Sequence, residues 1–448
     1  MISDMPNYTP TNAELLKRSL AAVWHPCSQM KHYEAFPLVP IARGEGVWLY
    51  DLDGKRYLDA VSSWWVNLFG HANPHINAAL HDQLDTLEHV MLAGFTHQPV
   101  VELSERLREL APKGLGHCFY GSDGASATEI ALKMSAHYWR NTGNSQKTQF
   151  ISLENSYHGE TLGALSVTDV ALFRDAYGAL IRQQATVPSP DSRKAAAGES
   201  AEAYALRCMA ALEQHLQQHH EQLAAFIIEP LVQGAAGMAM YHPIYLKRAR
   251  ELCSRYSVHL IADEIAVGMG RTGTMFACEQ GGISPDFLLI SKGITGGYLP
   301  LSVVMTRDEI YQAFYDDETA RGFLHSNSYT GNPLACRAAL ATLDIFIQDD
   351  VLNANRDKAA YLHRIAQPLR NHRAVRNWRN TGMIWAFEVE SPHRDFAQRC
   401  FALALKNELL LRPIGNTIYF MPPYVITKPE MDFLVSRTMQ LVEQLSQP

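Results

Sequence analysis

Cysteine is scarce and scattered in this 448-residue chain. The seven cysteines, at positions 27, 118, 208, 253, 278, 336 and 400, are odd in number and include no Cys-x-x-Cys pair. This pattern argues against a disulfide framework and against zinc ligation, and it favours reduced thiols. We therefore expect neither a disulfide-stabilised secreted protein nor a bound metal ion.

The chain also lacks long apolar runs and blocks of basic residues. No stretch of about 18 apolar residues occurs, and residues 1–7 show no positive region followed by an apolar one, so we expect a cytoplasmic protein without a membrane span. The formal net charge of −7 is mild, which disfavours nucleic acid and membrane surfaces as partners. With 47% hydrophobic residues, the chain can bury a large core in two or three domains.

A single lysine has an unusual position, directly after a short apolar run and before three glycines. Residues 286–290 have the length and apolar content of a buried strand, and glycines 293, 296 and 297 interrupt any regular continuation. Lys292 is therefore expected at the end of a strand, facing a cleft. Burial disfavours the ammonium form, so such a lysine can act as a nucleophile. The alternative is a lysine that ends a strand and extends to water.

Apolar strands alternate with helical patterns in the middle of the chain. Strands are predicted at 225–230, 258–264, 286–290 and 301–305, and a helix at 243–256. This alternation predicts an α/β fold with a mostly parallel sheet covered by helices, whose ligands gather at the carboxyl ends of the strands. Asp263 ends one strand as Lys292 ends the next, so both are expected to face one cleft. A plain ion pair between them is the alternative.

A glycine-containing turn at 121–129 follows an apolar strand and leads into a helical pattern. The first amides of a helix and its dipole form an anion site, for which phosphate is the obvious ligand. A capping box formed by Ser126 and Glu129 explains the same residues equally well. Tyr157, on a loop after a strand predicted at 149–153, can stack on a planar ring or cover a local core.

Two adjacent tryptophans and one arginine suggest a place for an elongated acidic ligand. Trp64 and Trp65 fit either a core or the wall of a pocket for an alkyl chain, because indole has a large rigid apolar face. Arg412 lies between apolar residues and a proline, where a guanidinium can reach a carboxylate. A surface arginine is the ordinary interpretation.

Together these segments resemble the class III aminotransferases, which use pyridoxal phosphate. The most specific match is residues 263–273, DEIAVGMGRTG, followed by Lys292 within Ser-Lys-Gly, and the resemblance covers nearly the whole chain. It implies a fold-type I transferase of the α/β class, with a large domain of mostly parallel sheet and a small α+β domain formed by both chain ends. The implied boundaries are 1–60 for the N-terminal part of the small domain, 61–333 for the large cofactor-binding domain and 334–448 for the C-terminal part.

The resemblance also implies roles for individual residues. Lys292 binds the cofactor covalently and moves a proton, and Asp263 pairs with the pyridinium nitrogen. Gly124 and Ala125 hold the phosphate, and Tyr157 stacks on the ring.

A homodimer with shared active sites is implied as well. In this arrangement Ser328 reaches the phosphate bound by the other subunit.

Within that class the chain is most similar to the diaminopelargonate synthase family of biotin biosynthesis, through residues 24–26, 62–65, 412–413 and 419–424. That family transfers an amino group from S-adenosyl-L-methionine to 8-amino-7-oxononanoate. The similarity implies that the two tryptophans wall the alkyl chain and that Arg412 receives the substrate carboxylate. The implied substrate-binding residues are Trp64, Trp65, Tyr157, Ser326 and Arg412.

The chain departs from the family pattern at three places. Cys27 stands where the family has tyrosine, residues 326–328 replace Gly-Pro-Thr, and Glu160 stands where aspartate is frequent. These changes leave the amino donor open between adenosylmethionine and lysine.

Three other functions remain as alternatives. The first is an ω-aminotransferase for ornithine, 4-aminobutyrate or another diamine, against which the tryptophan pair and Arg412 argue. The second is a lyase or mutase with the same cofactor. The third is a cofactor-sensing regulator, which the lack of a basic DNA-binding module disfavours.

Overall fold

The computed structural model describes residues 10–36 and 38–447, so the segment 1–7 discussed above lies outside the described residues. The strands within the described residues are, in chain order, β1 (Ile41–Glu45), β2 (Trp48–Asp51), β3 (Arg56–Asp59), β4 (Leu115–Gly121), β5 (Gln149–Leu153), β6 (Ala185–Val187), β7 (Leu223–Ile228), β8 (Val232–Gln233), β9 (Ala239–Met240), β10 (His259–Asp263), β11 (Phe287–Ile290), β12 (Ser302–Arg307), β13 (Val375–Thr381), β14 (Ile384–Val389), β15 (Leu409–Leu410) and β16 (Thr417–Phe420).

Helices connect and cover these strands. The α-helices of the same ranges, apart from one left-handed turn described below, are Asn12–Ala22, Pro74–Leu84, Gln98–Leu110, Gly124–Asn141, Leu162–Val167, Ala171–Arg174, Ala201–His219, Ile244–Arg255, Asp308–Gln312, Pro333–Gln348, Val351–Ile365, Gln367–Arg370, Phe396–Lys406 and Lys428–Leu445. Over the part of the chain that the structure describes, no helix combines the length and apolar character that crossing a bilayer requires.

The central sheet has the strand order β4-β12-β11-β10-β7-β5-β6. Strand β12 is antiparallel to both of its neighbours, and the other neighbouring strands of this sheet are parallel to each other. This confirms the mostly parallel sheet expected from the alternating pattern. Side chains along each strand alternate between two cores. On β11, Leu288 and Ile290 join the core that contains Leu246, whereas Phe287 and Leu289 join the core under helix Gly124–Asn141. Because both faces are buried, these strands are apolar throughout.

The register of this sheet brings two predicted site residues to one edge. β10 and β11 are parallel, with Asp263 opposite Leu289. Asp263 therefore ends its strand about level with the end of β11, and Lys292 follows two residues after Ile290. Both lie at the carboxyl edge of the sheet, where ligands bind in open α/β folds.

Both ends of the chain contribute to a second sheet, β1-β2-β3-β15. The parallel pairing of Leu409 with Leu58 joins segments from opposite ends of the sequence. The helix Pro333–Gln348, which begins at the boundary expected near 333, packs against helices Pro74–Leu84 and Gln98–Leu110. The domain boundaries themselves stay a prediction.

Candidate active site

A cavity of about 500 Å³ opens at the carboxyl edge of the central sheet. Six of the residues expected to act in the site line it, namely Trp65, Gly124, Ala125, Tyr157, Asp263 and Lys292. Trp64, Ser326, Ser328 and Arg412 lie outside this cavity.

Lys292 begins a short 3-10 turn directly after β11 and has a positive φ of 44°. Its Nζ lies 5.0 Å from the ring centroid of Trp65. Burial lowers the pKa of the amine, against the opposing effect of the Asp263 and Glu229 carboxylates. The local environment therefore favours the neutral, nucleophilic amine.

Asp263 is held in place by two hydrogen bonds. His158 Nδ1 lies 2.6 Å from its Oδ2, and the backbone N–H of Ile265 donates to its Oδ1 at 3.1 Å. Both His158 and Asp263 are buried, at 2% and 4% exposure. His158 is not among the residues expected from the sequence, although it directly follows Tyr157 on the same loop. His158 Nε2 has no hydrogen-bond partner among the described residues.

Glu229 is a second buried carboxyl group on this cavity, and no sequence pattern predicts a role for it. Its Oε2 accepts from the backbone N–H of Tyr157 and its Oε1 from that of Gly234, both at 3.0 Å. Burial raises its pKa to about 7, and the nearby Asp263 adds to the effect. The carboxyl therefore links the Tyr157 loop to Gly234. Gly234 in turn packs closely against Trp65, because a Cβ at position 234 would lie only 2.9 Å from Trp65 Cη2.

Tyr157 lies on the loop that follows β5. Its hydroxyl donates to Glu160 Oε1 at 2.9 Å, and its ring contacts Phe173 edge to face at a centroid distance of 5.4 Å. Burial raises the pKa of the phenol, and the Glu160 carboxylate adds to the effect. Glu160, one of the departures from the family pattern, thus fixes the orientation of the tyrosine side chain.

The start of helix Gly124–Asn141 closes one end of the cavity. Its N-cap is Asp123, whose carboxylate accepts from Ser126 N at 2.8 Å. The alternative capping box of Ser126 and Glu129 is wrong, because Glu129 instead accepts from Thr161 Oγ1 and Gly163 N, at 2.6 and 2.7 Å. The first amides of a helix lack intrahelical acceptors, and Gly124 and Ala125 at this helix start line the cavity, where their amides can bind an anion.

Glycines make this end of the cavity close-fitting. A Cβ at Gly124 would lie 2.9 Å from Ile265 Cγ2. Gly159 has a φ of 120°, and a Cβ there would lie 2.6 Å from the Cβ of Ala125. The loop that carries Tyr157 and His158 can therefore approach the helix start only because position 159 has no side chain.

The two tryptophans lie on one left-handed turn, but their side chains lie in different places. Ser62, Ser63, Trp64 and Trp65 have φ values of 51°, 44°, 73° and 73°. Left-handed geometry costs an L-residue about 1–2 kcal/mol, so this turn is strained. Trp65 is 7% exposed in the cavity wall, and its Nε1 donates to the hydroxyl of Tyr419 at 3.0 Å.

Trp64 is 43% exposed and supports Arg412, whose Cζ lies 4.3 Å from its ring centroid. Arg412 is itself exposed. Among the described residues, no carboxylate comes within 4.0 Å of its guanidinium. A cation on a rigid aromatic support, without an acidic partner, is available to a carboxylate ligand.

Ser326 and Ser328 are exposed and do not contact their own chain's cavity. Cys27, the position of the family tyrosine, is exposed as well. Among the described residues, no cluster of histidine, cysteine, aspartate and glutamate could hold a metal ion.

The residues of the cavity fit pyridoxal phosphate. A buried lysine with a lowered pKa suits its aldehyde, and a buried carboxylate beside it suits a protonated ring nitrogen. The start of the helix suits a phosphate, because its amides can bind an anion. A side chain at Gly124 or Gly159 would clash with neighbouring residues there.

Comparison with known proteins gives the same family. The class III aminotransferase family model matches residues 29–442. The adenosylmethionine-8-amino-7-oxononanoate aminotransferase of Helicobacter pylori is 46% identical over 434 residues, which cover 95% of this chain and 97% of that protein.

Two crystal structures extend this comparison. That of adenosylmethionine-8-amino-7-oxononanoate aminotransferase from Methanocaldococcus jannaschii superposes with a TM-score of 0.90 at 34% identity, covering 97% of this chain and 99% of the other. An (S)-enantioselective omega-transaminase from Thermomicrobium roseum gives a TM-score of 0.93 at 31% identity, covering 98% and 100%. This chain therefore belongs to the class III aminotransferases, fold-type I enzymes whose cofactor is pyridoxal phosphate.

Proposed function

We propose that this enzyme transfers an amino group from S-adenosyl-L-methionine to 8-amino-7-oxononanoate, giving 7,8-diaminononanoate for biotin biosynthesis. The observation that carries the proposal is the arrangement of Trp65 and Arg412. Trp65 forms an apolar wall over Lys292, and Arg412 lies outside the cavity with no acidic partner in the described part of the chain. Such a site suits a ligand with a reactive amino or keto group, an alkyl chain and a distant carboxylate. The names of the Helicobacter and Methanocaldococcus relatives support the same substrate pair.

Pyridoxal phosphate, when bound, supplies the aldehyde that takes up the amino group and the ring that delocalises the charge left by proton removal. Lys292, whose pKa is lowered by burial, would hold the cofactor and then accept and return the substrate proton through Nζ. Asp263, fixed by His158 and the Ile265 amide, would keep the ring nitrogen protonated, because a nearby carboxylate favours the charged form. The amides of Gly124 and Ala125 would hold the phosphate, with Tyr157 against the ring.

The substrate side would rely on Trp65, Trp64 and Arg412. Trp65 excludes water along the alkyl chain, and Arg412 would bind the carboxylate through two parallel hydrogen bonds. Tyr157 and Ser326 are proposed substrate contacts from the resemblance alone.

We further propose a homodimer in which Ser328 completes the phosphate site of the partner subunit. Ser328 is exposed and lies away from its own chain's cavity, which supports this arrangement. Several large apolar side chains are also exposed and would be covered by a second copy, among them Trp24 at 82%, Leu324 at 80%, Tyr329 at 66% and Phe95 at 58%.

Light scattering should give the mass of two chains, and Ser328→Ala should weaken the binding of pyridoxal phosphate. A fully loaded monomer would contradict this assembly.

We place the enzyme in the cytoplasm. The seven cysteines, which are all free, support a reducing compartment.

A second candidate is a broader ω-aminotransferase. The close superposition with the Thermomicrobium omega-transaminase supports it. It requires the same cofactor-binding residues but no substrate carboxylate bound to Arg412.

The absorbance spectrum of the cofactor-loaded enzyme separates the two candidates. Addition of 7,8-diaminononanoate alone, the proposed product, should convert the cofactor to its amine form, whatever the natural donor is. If only another diamine converts the cofactor to its amine form, the ω-aminotransferase assignment is correct and the biotin-pathway assignment is wrong. Once the acceptor is established, adenosylmethionine and lysine are compared as donors.

A further inference from the structure

The left-handed turn Ser62–Trp65 requires an explanation beyond the side chains that it carries. None of its four residues is glycine, yet all four have positive φ. A non-glycine residue holds such a conformation only when its surroundings impose it, and strain of this kind clusters at functional sites. The contacts that impose it therefore bear on the tryptophans that the turn presents.

One buried carboxylate makes most of these contacts. Asp59, at the end of β3, is 0% exposed. Its Oδ1 accepts from Ser63 N at 2.9 Å and from Val61 N at 3.3 Å. Its Oδ2 accepts from Ser63 Oγ at 2.7 Å and lies 3.0 Å from His71 Nε2. Asp59 thus binds both the backbone and the side chain of one left-handed residue.

The neighbouring residues anchor the two ends of the turn. Ser62 Oγ donates to the carbonyl oxygen of Met421 at 2.7 Å. After the turn, Asn67 lies against the loop that follows Lys292, and a Cβ at Gly297 would come within 2.8 Å of Asn67 Cα. The turn is therefore fixed between the C-terminal strands and the loop of the reactive lysine.

We propose that Asp59 is the positioning residue of the substrate pocket. By holding Ser63 in the left-handed conformation, it directs Trp65 over Lys292 and Trp64 under Arg412. A change in the sign of φ would redirect both indoles, because the direction of each side chain follows from the backbone angles. This inference rests on the proposed function, since it takes the two tryptophans and Arg412 as the substrate-binding surface.

The test compares Asp59→Ala with the double variant Asp59→Ala/Ser63→Gly. We expect Asp59→Ala to raise KM for 8-amino-7-oxononanoate by about tenfold, since left-handed strain at one L-residue corresponds to roughly that factor. Glycine adopts positive φ without the penalty of a Cβ, so the double variant should recover most of the loss. Because Ser63 Oγ loses its acceptor when Asp59 is removed, Asp59→Ala/Ser63→Ala deletes the same hydroxyl but keeps the Cβ, and it should not recover KM.

Asp51→Ala is the matched control. Asp51 is also buried at the end of a strand of the same sheet, and it accepts from Lys55 N at 2.9 Å and from Tyr57 OH at 2.8 Å. Its contacts do not include the tryptophan turn, so its loss should lower Tm and leave KM unchanged. An equal rise in KM with Asp51→Ala, or no rescue by Ser63→Gly, would overturn the proposal. Asp59→Asn, which keeps one acceptor for Ser63 N, replaces the alanine variant if that variant does not fold.

Near-ultraviolet circular dichroism provides a readout that does not depend on the substrate. The signal of immobilised indole rings should fall in Asp59→Ala and return in the double variant. If the unaltered enzyme does not turn over 8-amino-7-oxononanoate, the proposed function fails, and the spectra still decide whether Asp59 positions the tryptophans. Spectra that are the same in all variants would overturn the inference while leaving the proposed function intact.

Discussion

His158 Nδ1 lies 2.6 Å from Asp263 Oδ2, and both side chains are almost fully buried. We expect His158→Leu to weaken the binding of pyridoxal phosphate by about tenfold or more, because a hydrogen bond to a charged group contributes about 1.5–3 kcal/mol. The affinity is measured by titrating the apoprotein with the cofactor. His259→Leu is the control, since His259 is buried at the opposite end of β10 and bonds Ser135 Oγ at 2.9 Å. An equal loss of affinity in both variants would show a general effect of destabilisation.

Arg412 rests on Trp64 without an acidic partner among the described residues, so its removal should affect the carboxylate-bearing acceptor. We expect Arg412→Ala to raise KM for 8-amino-7-oxononanoate by about 10–100-fold, the factor expected for a charged hydrogen-bonded pair. The rate of amino transfer from the donor should change much less. Arg43→Ala removes an exposed arginine that lies 3.6 Å from the ring of Tyr50 and serves as the control. Equal damage to both half reactions would refute carboxylate binding by Arg412.

Gly159 separates the Tyr157 loop from the start of the phosphate-facing helix. Gly159→Ala places a Cβ only 2.6 Å from Ala125 Cβ, in a backbone conformation that disfavours side chains. We expect weaker cofactor binding and a lower Tm, measured by titration and scanning calorimetry. Gly116→Ala should be nearly neutral, because no described residue comes within 4 Å of a Cβ there. Normal cofactor affinity in Gly159→Ala would show that the loop can move away without loss.

The buried carboxyl group of Glu264 makes the stability of the folded protein depend on pH. Burial raises its pKa from 4.5 to about 7, while its carboxyl accepts from Ala277 N at 2.6 Å and Cys278 N at 2.8 Å. Because the folded-state pKa is above the unfolded one, the stability from proton binding is complete below pH 4.5 and is lost as the pH rises through 7. The advantage in Tm of the unaltered protein over Glu264→Gln should therefore shrink between pH 5 and pH 8. A constant difference would mean that Glu264 titrates normally.

The central sheet could be predicted because its signals are local and strong. The strand predicted at 286–290 is Phe287–Ile290, and the helix predicted at 243–256 is Ile244–Arg255. Apolar runs of strand length and a clear helical period leave few alternatives when both faces of the sheet are buried. The position of Lys292 beside Asp263 follows from the parallel register of these strands.

The details of the site depend on contacts that the sequence does not display. Nothing in the residue types Ser-Ser-Trp-Trp indicates a left-handed turn, since Asp59 and Met421 impose it from outside. His158 carries no pattern of its own, and only the fold brings it to Asp263. The helix start was ambiguous because Asp123 and Ser126 are both good N-caps, and the choice depends on where the preceding strand ends.

The pairing of Leu58 with Leu409 also determines the order in which the molecule can be completed during synthesis. Arg56 and Glu408, which flank this pairing and bond to each other, are 352 residues apart in the chain. The outer edge of β3 therefore leaves the ribosome early and stays without its partner strand until nearly the whole polypeptide has emerged. The surface between Trp64 and Arg412 is among the last parts to form, so a nascent chain can assemble much of its cofactor cavity well before it has a complete place for its acceptor.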